Sequence, residues 1–226
     1  MKVLLWDIDG TLLDTCRAGM YAWVQALEEE HGGPVDVSGM RVAGLTDMKI
    51  GRMAIEDTLG RPYDEALARQ LMDRYVELLP EWLERREGGR ILPNVRAILD
   101  AAAARDDIDL ALLTGNLEAG AERKLGHYGL WDYFDWGAFA DVGPDRREIA
   151  RHARRQAEER HAEITGIWVI GDTEHDIDCG KAIDAHTIGV GTGPFSAQEL
   201  SAHDPWWAVD ELPEAGEFLA RLDEVD

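Results

Sequence analysis

Asp7 and Asp9 lie two residues apart in Asp7-Ile8-Asp9-Gly10-Thr11-Leu12, directly after a short apolar run. On an extended chain, residues i and i+2 project to the same side. Two carboxylates held that way repel unless a cation lies between them or one of them keeps a proton. The pair therefore predicts a metal site, an acid/base pair, or both, and Gly10-Thr11 lets the chain leave sharply. Thr114-Gly115-Asn116 follows a second apolar run and offers a hydroxyl and backbone N–H groups to an anion at a helix start. A further run ends in Gly171-Asp172-Thr173-Glu174-His175-Asp176, again carboxylates at a strand end. Three strand ends that carry mutually useful groups, acids that can share a cation and donors for an anion, are the strong signal of a site.

These residues need a frame to bring them to one edge. Apolar runs at 3–6, 110–113, 167–170 and 187–190 are too short for helices, and their composition and flanks suit buried parallel strands. Helical spacing lies between the later runs: Val95, Ile98, Leu99 and Ala102 behind Pro93 at a first-turn position, then Leu117, Ala121, Leu125 and Tyr128 before Gly129. Alternating strand and helix predicts a doubly wound α/β sheet, whose ligands bind at the carboxyl ends of its strands.

The stretch from Thr15 to about Arg90 carries helical spacing only. Its three series are Ala18, Tyr21, Val24 and Leu27; Ile50, Met53 and Ala54; and Leu67, Leu71, Tyr75, Leu78, Leu79 and Trp82 behind an Asp64 cap. The expected division is a catalytic core formed by residues 1–14 and 91–226, with residues 15–90 inserted as a small helical domain. In the segment 43–47, Thr46 or Asp47 suits an N-cap, and that turn could face a substrate.

Length and charge narrow the partners. The 226 residues suffice for one well-filled domain, and 45 acids against 23 bases leave a net charge of −22. Nucleic acid and anionic membranes would be repelled. The bases include only four lysines, Lys2, Lys49, Lys124 and Lys181; such acidity suits either a salt-rich cytoplasm or a GC-rich genome. Cys16 and Cys179 are expected as free thiols, too few for a disulfide framework. The opening residues lack the long uncharged stretch of a signal peptide, so a cytoplasmic location is expected, as monomer or homodimer.

Taken together, the Asp7 to Thr11 segment, Thr114 and the Gly171 to Asp176 segment, with a helical insertion between the first two, resemble the phosphatase branch of the haloacid dehalogenase superfamily, and its phosphoglycolate phosphatase-like members with a helical C1 cap. That resemblance implies a Rossmann-like core and a Mg²⁺-dependent phosphomonoesterase acting on a small phosphorylated metabolite. It makes Asp7 the nucleophile, Asp9 the general acid and base, and Thr114 a phosphate ligand, with Gly10, Gly115 and Asn116 beside the substrate. Asp7, the Asp9 carbonyl and Asp172 would hold the metal, with Asp176 in its outer shell. The family usually places a lysine before the last acidic segment, yet residues 141–148 contain none. Arg146 is the first candidate for that charge; Lys124 or Lys181 could instead reach in from another helix, leaving Arg146 and Arg147 on a solvated helix face.

Other readings stay open on the sequence. A phosphomutase shares these residues, and a phosphonate hydrolase would need a Schiff-base lysine, for which the insertion offers Lys49. A phospho-acceptor signalling domain has no use for Asp9, and a binding protein without the lysine needs no turnover. His175 is expected as an exposed loop residue, and Trp206-Trp207 as packing for the last strand.

Overall fold

The computed structural model describes residues 1–225. Its centre is β1 (Lys2–Trp6), buried along its whole length. It is flanked by β4 (Ile108–Leu113) and β6 (Gly166–Gly171), each parallel to it and pairing Leu4 with Leu110 and Trp168. The outer strands are β5 (Gly137–Ala138) beyond β4, and β7 (His186–Val190) then β8 (Trp207–Val209) beyond β6. The order β5-β4-β1-β6-β7-β8 is parallel throughout. From β1 the neighbours lie on opposite sides, so its carboxyl end is the point where the winding reverses and a ligand crevice opens.

Pleating sorts the strand residues between two layers. Leu4, Trp6, Leu110, Leu112, Trp168 and Ile170 face one cluster, closed by α4 (Val95–Ala103), α5 (Glu118–His127) and α9 (Ala215–Asp223). Val3, Leu5, Ala111, Leu113 and Val169 face the other, closed by α6 (Arg146–Arg160) and α7 (Glu174–Lys181). A short α8 (Ala197–Ser201) sets Leu200 against Gly189 of β7. Pro93 does not occupy the first turn of α4 as expected: Asn94 is the N-cap, its side chain tied to the Leu212 carbonyl at 2.6 Å, and the helix begins at Val95.

Just past Asp9 the chain forms β2 (Leu13–Asp14), which pairs antiparallel with β3 (Arg90–Ile91). The Arg90 guanidinium lies 3.4 Å from Asp14 across this ribbon. Between its strands run α1 (Ala18–His31), α2 (Asp47–Met53) and α3 (Glu65–Arg85). A π-helical turn at Ala54–Thr58 extends α2. These helices share an apolar cluster of their own, with Trp23 stacked on Tyr75 at 4.8 Å. The expected series is offset in α1, where Ala22, Trp23 and Ala26 fill the buried face beside Ala18 and Leu27 while Tyr21 and Val24 are only half-buried; in α3, Leu71, Tyr75, Leu78 and Leu79 are buried as expected. Among the described residues no helix is long and apolar enough to cross a membrane.

Candidate active site

All three motif segments arrive at the carboxyl edge of the sheet, on either side of β1. They line a cavity of about 480 Å³ roofed by the α1–α3 layer. Asp7, the residue after β1, is held by its N–H on the Ile170 carbonyl at 2.9 Å. Its carboxyl is buried, and that burial, reinforced by Asp176, pushes its pKa up to about 7 despite the opposing Arg146. Asp172 stands well above the usual carboxylate range for the same reasons: burial first, then Asp176 and Asp7. Oxygens of Asp7, Asp172 and Asp176 lie within 4.8 Å of one another.

The surroundings press close on this cluster. Gly10 adopts φ +83°, and a Cβ there or on Gly193 would overlap the Asp172 carboxylate. Thr11 Oγ1 donates to Asp172 at 3.4 Å, and Thr192 Oγ1 donates to the Gly10 carbonyl at 2.6 Å. The segment after β7 thus closes the site from a fourth strand end, which the motifs did not include. The signal lay in Gly191-Thr192-Gly193, which repeats the pattern of small and hydroxyl residues after an apolar run.

Asp176 sits one turn into α7. Its Oδ2 accepts from Thr173 Oγ1 at 2.7 Å and Thr173 N–H at 3.1 Å, closing a capping box, and its Oδ1 accepts from Arg146. Arg146, the first residue of α6, is itself buried and lies 3.6 Å from Asp7 Oδ1. Burial disfavours its charge, but Asp176 and Asp7 more than compensate and hold the guanidinium firmly protonated.

Asp9 faces a different cation. Lys124 of α5, only 4% exposed, puts Nζ 2.5 Å from Asp9 Oδ2 and 2.6 Å from Asn116 Oδ1. Asn116 Nδ2 closes the triangle on Asp9 Oδ2 at 3.0 Å and also reaches Thr114 Oγ1 at 2.8 Å. Each of the two carboxylates thus has its own side-chain cation, Arg146 for Asp7 and Lys124 for Asp9. Of the three candidates for the missing charge, Arg146 and Lys124 come to the cavity. Lys181 does not; it donates to the His203 carbonyl at 2.6 Å. Arg147 is more than half exposed, 3.7 Å from Asp178.

Several smaller expectations are decided here, some as foreseen and some otherwise. Thr46, not Asp47, caps α2, accepting from Lys49 N–H at 3.3 Å while its hydroxyl donates to the Pro144 carbonyl at 3.1 Å. Asp47 instead clasps the core: its N–H reaches the Gly115 carbonyl at 2.7 Å, and its Oδ2 accepts from Leu117 N–H at 2.8 Å. Burial raises its pKa to about 6 although Lys124 lies close by. Asp47 and Asp9 in turn help to lift the Tyr75 hydroxyl, whose own burial is the larger cause. His175 belongs to α7 and is half-buried against Gly44, so it is no exposed loop residue. Lys49 is exposed and does not line the cavity, which leaves the Schiff-base reading without its lysine. Trp207 lies in β8, with Trp206 packed edge-on against it.

Comparison with known proteins agrees with this arrangement. A family model described as haloacid dehalogenase-like hydrolase matches residues 4–181. The chain is 27% identical over 225 residues to a phosphoglycolate phosphatase of Neisseria meningitidis, covering 97% of this chain and 94% of that one. It is 26% identical over 213 residues to a Dickeya dadantii protein named "Probable phosphatase IndB", covering 94% and 90%. A crystal structure of a predicted phosphoglycolate phosphatase from Haemophilus somnus superposes with a TM-score of 0.74 at 16% identity, covering 100% and 98%. A predicted phosphatase from Clostridium acetobutylicum gives 0.71 at 20%, covering 99% and 98%. At such identities the two structures speak for the fold alone.

Proposed function

This chain belongs to the haloacid dehalogenase-like hydrolase family, and from the geometry of its site we propose that it is a phosphomonoesterase acting through a phosphoryl group carried on Asp7. One observation supports this above others: two carboxylates at one cavity, each with its own cation, one deep beside further acids and one at the open side. In this reading residues 15–90 act as a cap over a core formed by residues 1–14 and 91–226.

The cluster of Asp7, Asp172 and Asp176 suits a hard divalent cation such as Mg²⁺. Its donors are all oxygen, the cradle around Asp172 is too tight for a Cβ, and Arg146 alone does not balance three buried acids. Asp7, Asp172 and the Asp9 carbonyl would hold the ion. Asp176, whose oxygens are engaged by Thr173 and Arg146, would brace it from outside. Bound there, the ion would cancel charge on the phosphate and the nucleophile.

The chain's own residues divide the remaining work. Thr114 Oγ1 and the Gly115 and Asn116 amides provide donors for phosphate oxygens, and Arg146 steadies Asp7 toward phosphorus. As Asp7 Oδ bonds to phosphorus, the ester P–O bond breaks and the departing oxygen takes a proton from Asp9, which must enter this step in its acid form and which Lys124 stabilises once it is ionised. The hydrogen bonds recorded for Asp9 end on Oδ2, which leaves Oδ1 for that oxygen. Asp9, now ionised, accepts a proton from water as the water oxygen attacks phosphorus. The P–O bond to Asp7 breaks, releasing inorganic phosphate and restoring the carboxylate. A receiver-like role would leave both Asp9 and its cation idle.

The test is phosphate release from a panel of phosphorylated metabolites with Mg²⁺. Activity should need the metal and vanish in Asp7→Asn, while Asp9→Asn should slow turnover by about 10²–10⁴-fold. Sustained turnover by Asp7→Asn would refute the reading.

A further inference from the structure

Taking the phosphatase reading as its basis, we infer that the alcohol released from phosphate is uncharged and largely apolar, and is not a hydroxycarboxylate. The cavity has two unlike halves. Its floor holds the ionised and hydrogen-bonding groups described above. Its roof is Met20 and Trp23 of α1, Met40, Val42 and Leu45 of the connection to α2, and Ile50 of α2.

Among the described residues, three side-chain cations reach this space: Arg17, Lys124 and Arg146. Two are committed to the floor. Lys124 is spent on Asp9 and Asn116, and Arg146 on Asp176, Asp7 and the Gly44 carbonyl at 3.3 Å. Only Arg17 remains, and its side chain is exposed to solvent at the start of α1, where water screens its charge. The acids Asp14 and Asp47 also line the cavity. A carboxylate on the leaving group would therefore be buried against methionine, valine and isoleucine with no enclosed positive partner and with Asp47 repelling it. A buried charge needs such a partner. An apolar group there exchanges water for apolar contact, the favourable direction. The volume of about 480 Å³ lies within the range for small-molecule sites, roughly 300–1,000 Å³, so the phosphate leaves room for a group of several carbons. The adaptable Met20 and Met40 would accept varied shapes in this position.

The experiment compares kcat/KM of the full-length protein with Mg²⁺ for phosphoglycolate, butyl phosphate and phenyl phosphate. The expected result is at least tenfold higher kcat/KM for one of the two apolar esters than for phosphoglycolate. Met20→Lys, which places an ammonium under the roof, should narrow or invert that ratio. The wild-type series decides the matter even if that variant does not fold. Preference for phosphoglycolate, lost in Arg17→Ala, would overturn the inference and make Arg17 a carboxylate receptor, with the phosphatase reading intact. Hydrolysis of none of the esters, nor of any member of a broad phosphate panel, would overturn both.

Discussion

Lys124 Nζ lies 2.5 Å from Asp9 Oδ2 although Asp9 follows β1 and Lys124 lies in the last turn of α5, 115 positions away. The lysine projects from α5, the helix that follows Thr114-Gly115-Asn116, so one stretch of chain supplies both Asn116 and the cation that meet Asp9. Arg146 occupies the equivalent place beside Asp7. The positive charge expected from one residue is thereby divided between two helices.

Loss of Lys124 should accordingly injure turnover. Lys124→Met keeps the apolar stem and removes the ammonium, leaving Asp9 and Asn116 without their shared donor. Steady-state kinetics should show kcat lower by about 10²–10³-fold, the range for one electrostatic donor, with Lys181→Met nearly silent. Full activity in Lys124→Met would mean that the ion pair is structural only.

Arg146→Ala should also lower kcat, with a barrier increase of roughly 3–4 kcal/mol. Arg146→Lys should recover part of this, since Nη2 alone meets both Asp7 and Asp176 and an ammonium can stand there, while the Nη1 donation to the Gly44 carbonyl is lost. Arg147→Ala is the control, as that side chain is largely in solvent. Equal effects of the two alanine variants would remove Arg146 from the mechanism.

Metal affinity should depend on pH through Asp7. Burial raises this carboxyl to about 7, and an ion can bind only the deprotonated form. Below that pH a proton must leave first, so Mg²⁺ affinity measured by calorimetry should fall as pH drops from 8 to 5, with proton release on binding. An affinity flat across this window would show that Asp7 is ionised throughout.

Asp47 should cost stability at neutral pH. Its folded pKa is raised from 3.8 to about 6, so the folded state holds a proton that the unfolded chain releases. The sign follows: the penalty is absent below about pH 4, grows as pH rises through 6, and is complete above it. At about 1.4 kcal/mol per pKa unit the full penalty is about 3 kcal/mol. Asp47→Asn retains an acceptor for Leu117 N–H and removes the charge. It should melt roughly 5–10 °C higher than the native chain at pH 8, with the gap closing near pH 4. A lower melting point at pH 8 would mean that the ionised clasp to the core stabilises more than its burial costs.

Much of this protein could be read from local sequence. The strands at 3–6, 110–113, 167–170 and 187–190, the helical character of residues 15–90, and the carboxylates at Asp7, Asp9 and Asp172 all follow from short-range patterns, because apolar period and strand-end chemistry are properties of consecutive residues. The two-residue strands β2, β3 and β5 carry no such pattern and exist only through their partners. The same holds for the finer parts of the site. That Lys124 meets Asp9, that Arg146 lies between Asp7 and Asp176, and that Asp47 reaches across to Leu117 depend on the packing of helices distant in sequence. A lysine or aspartate on a helix has the same local signature whether it points to water or into a cavity. Which of them becomes buried, and therefore must find an opposite charge or take up a proton, is decided only when the helices dock and water is excluded.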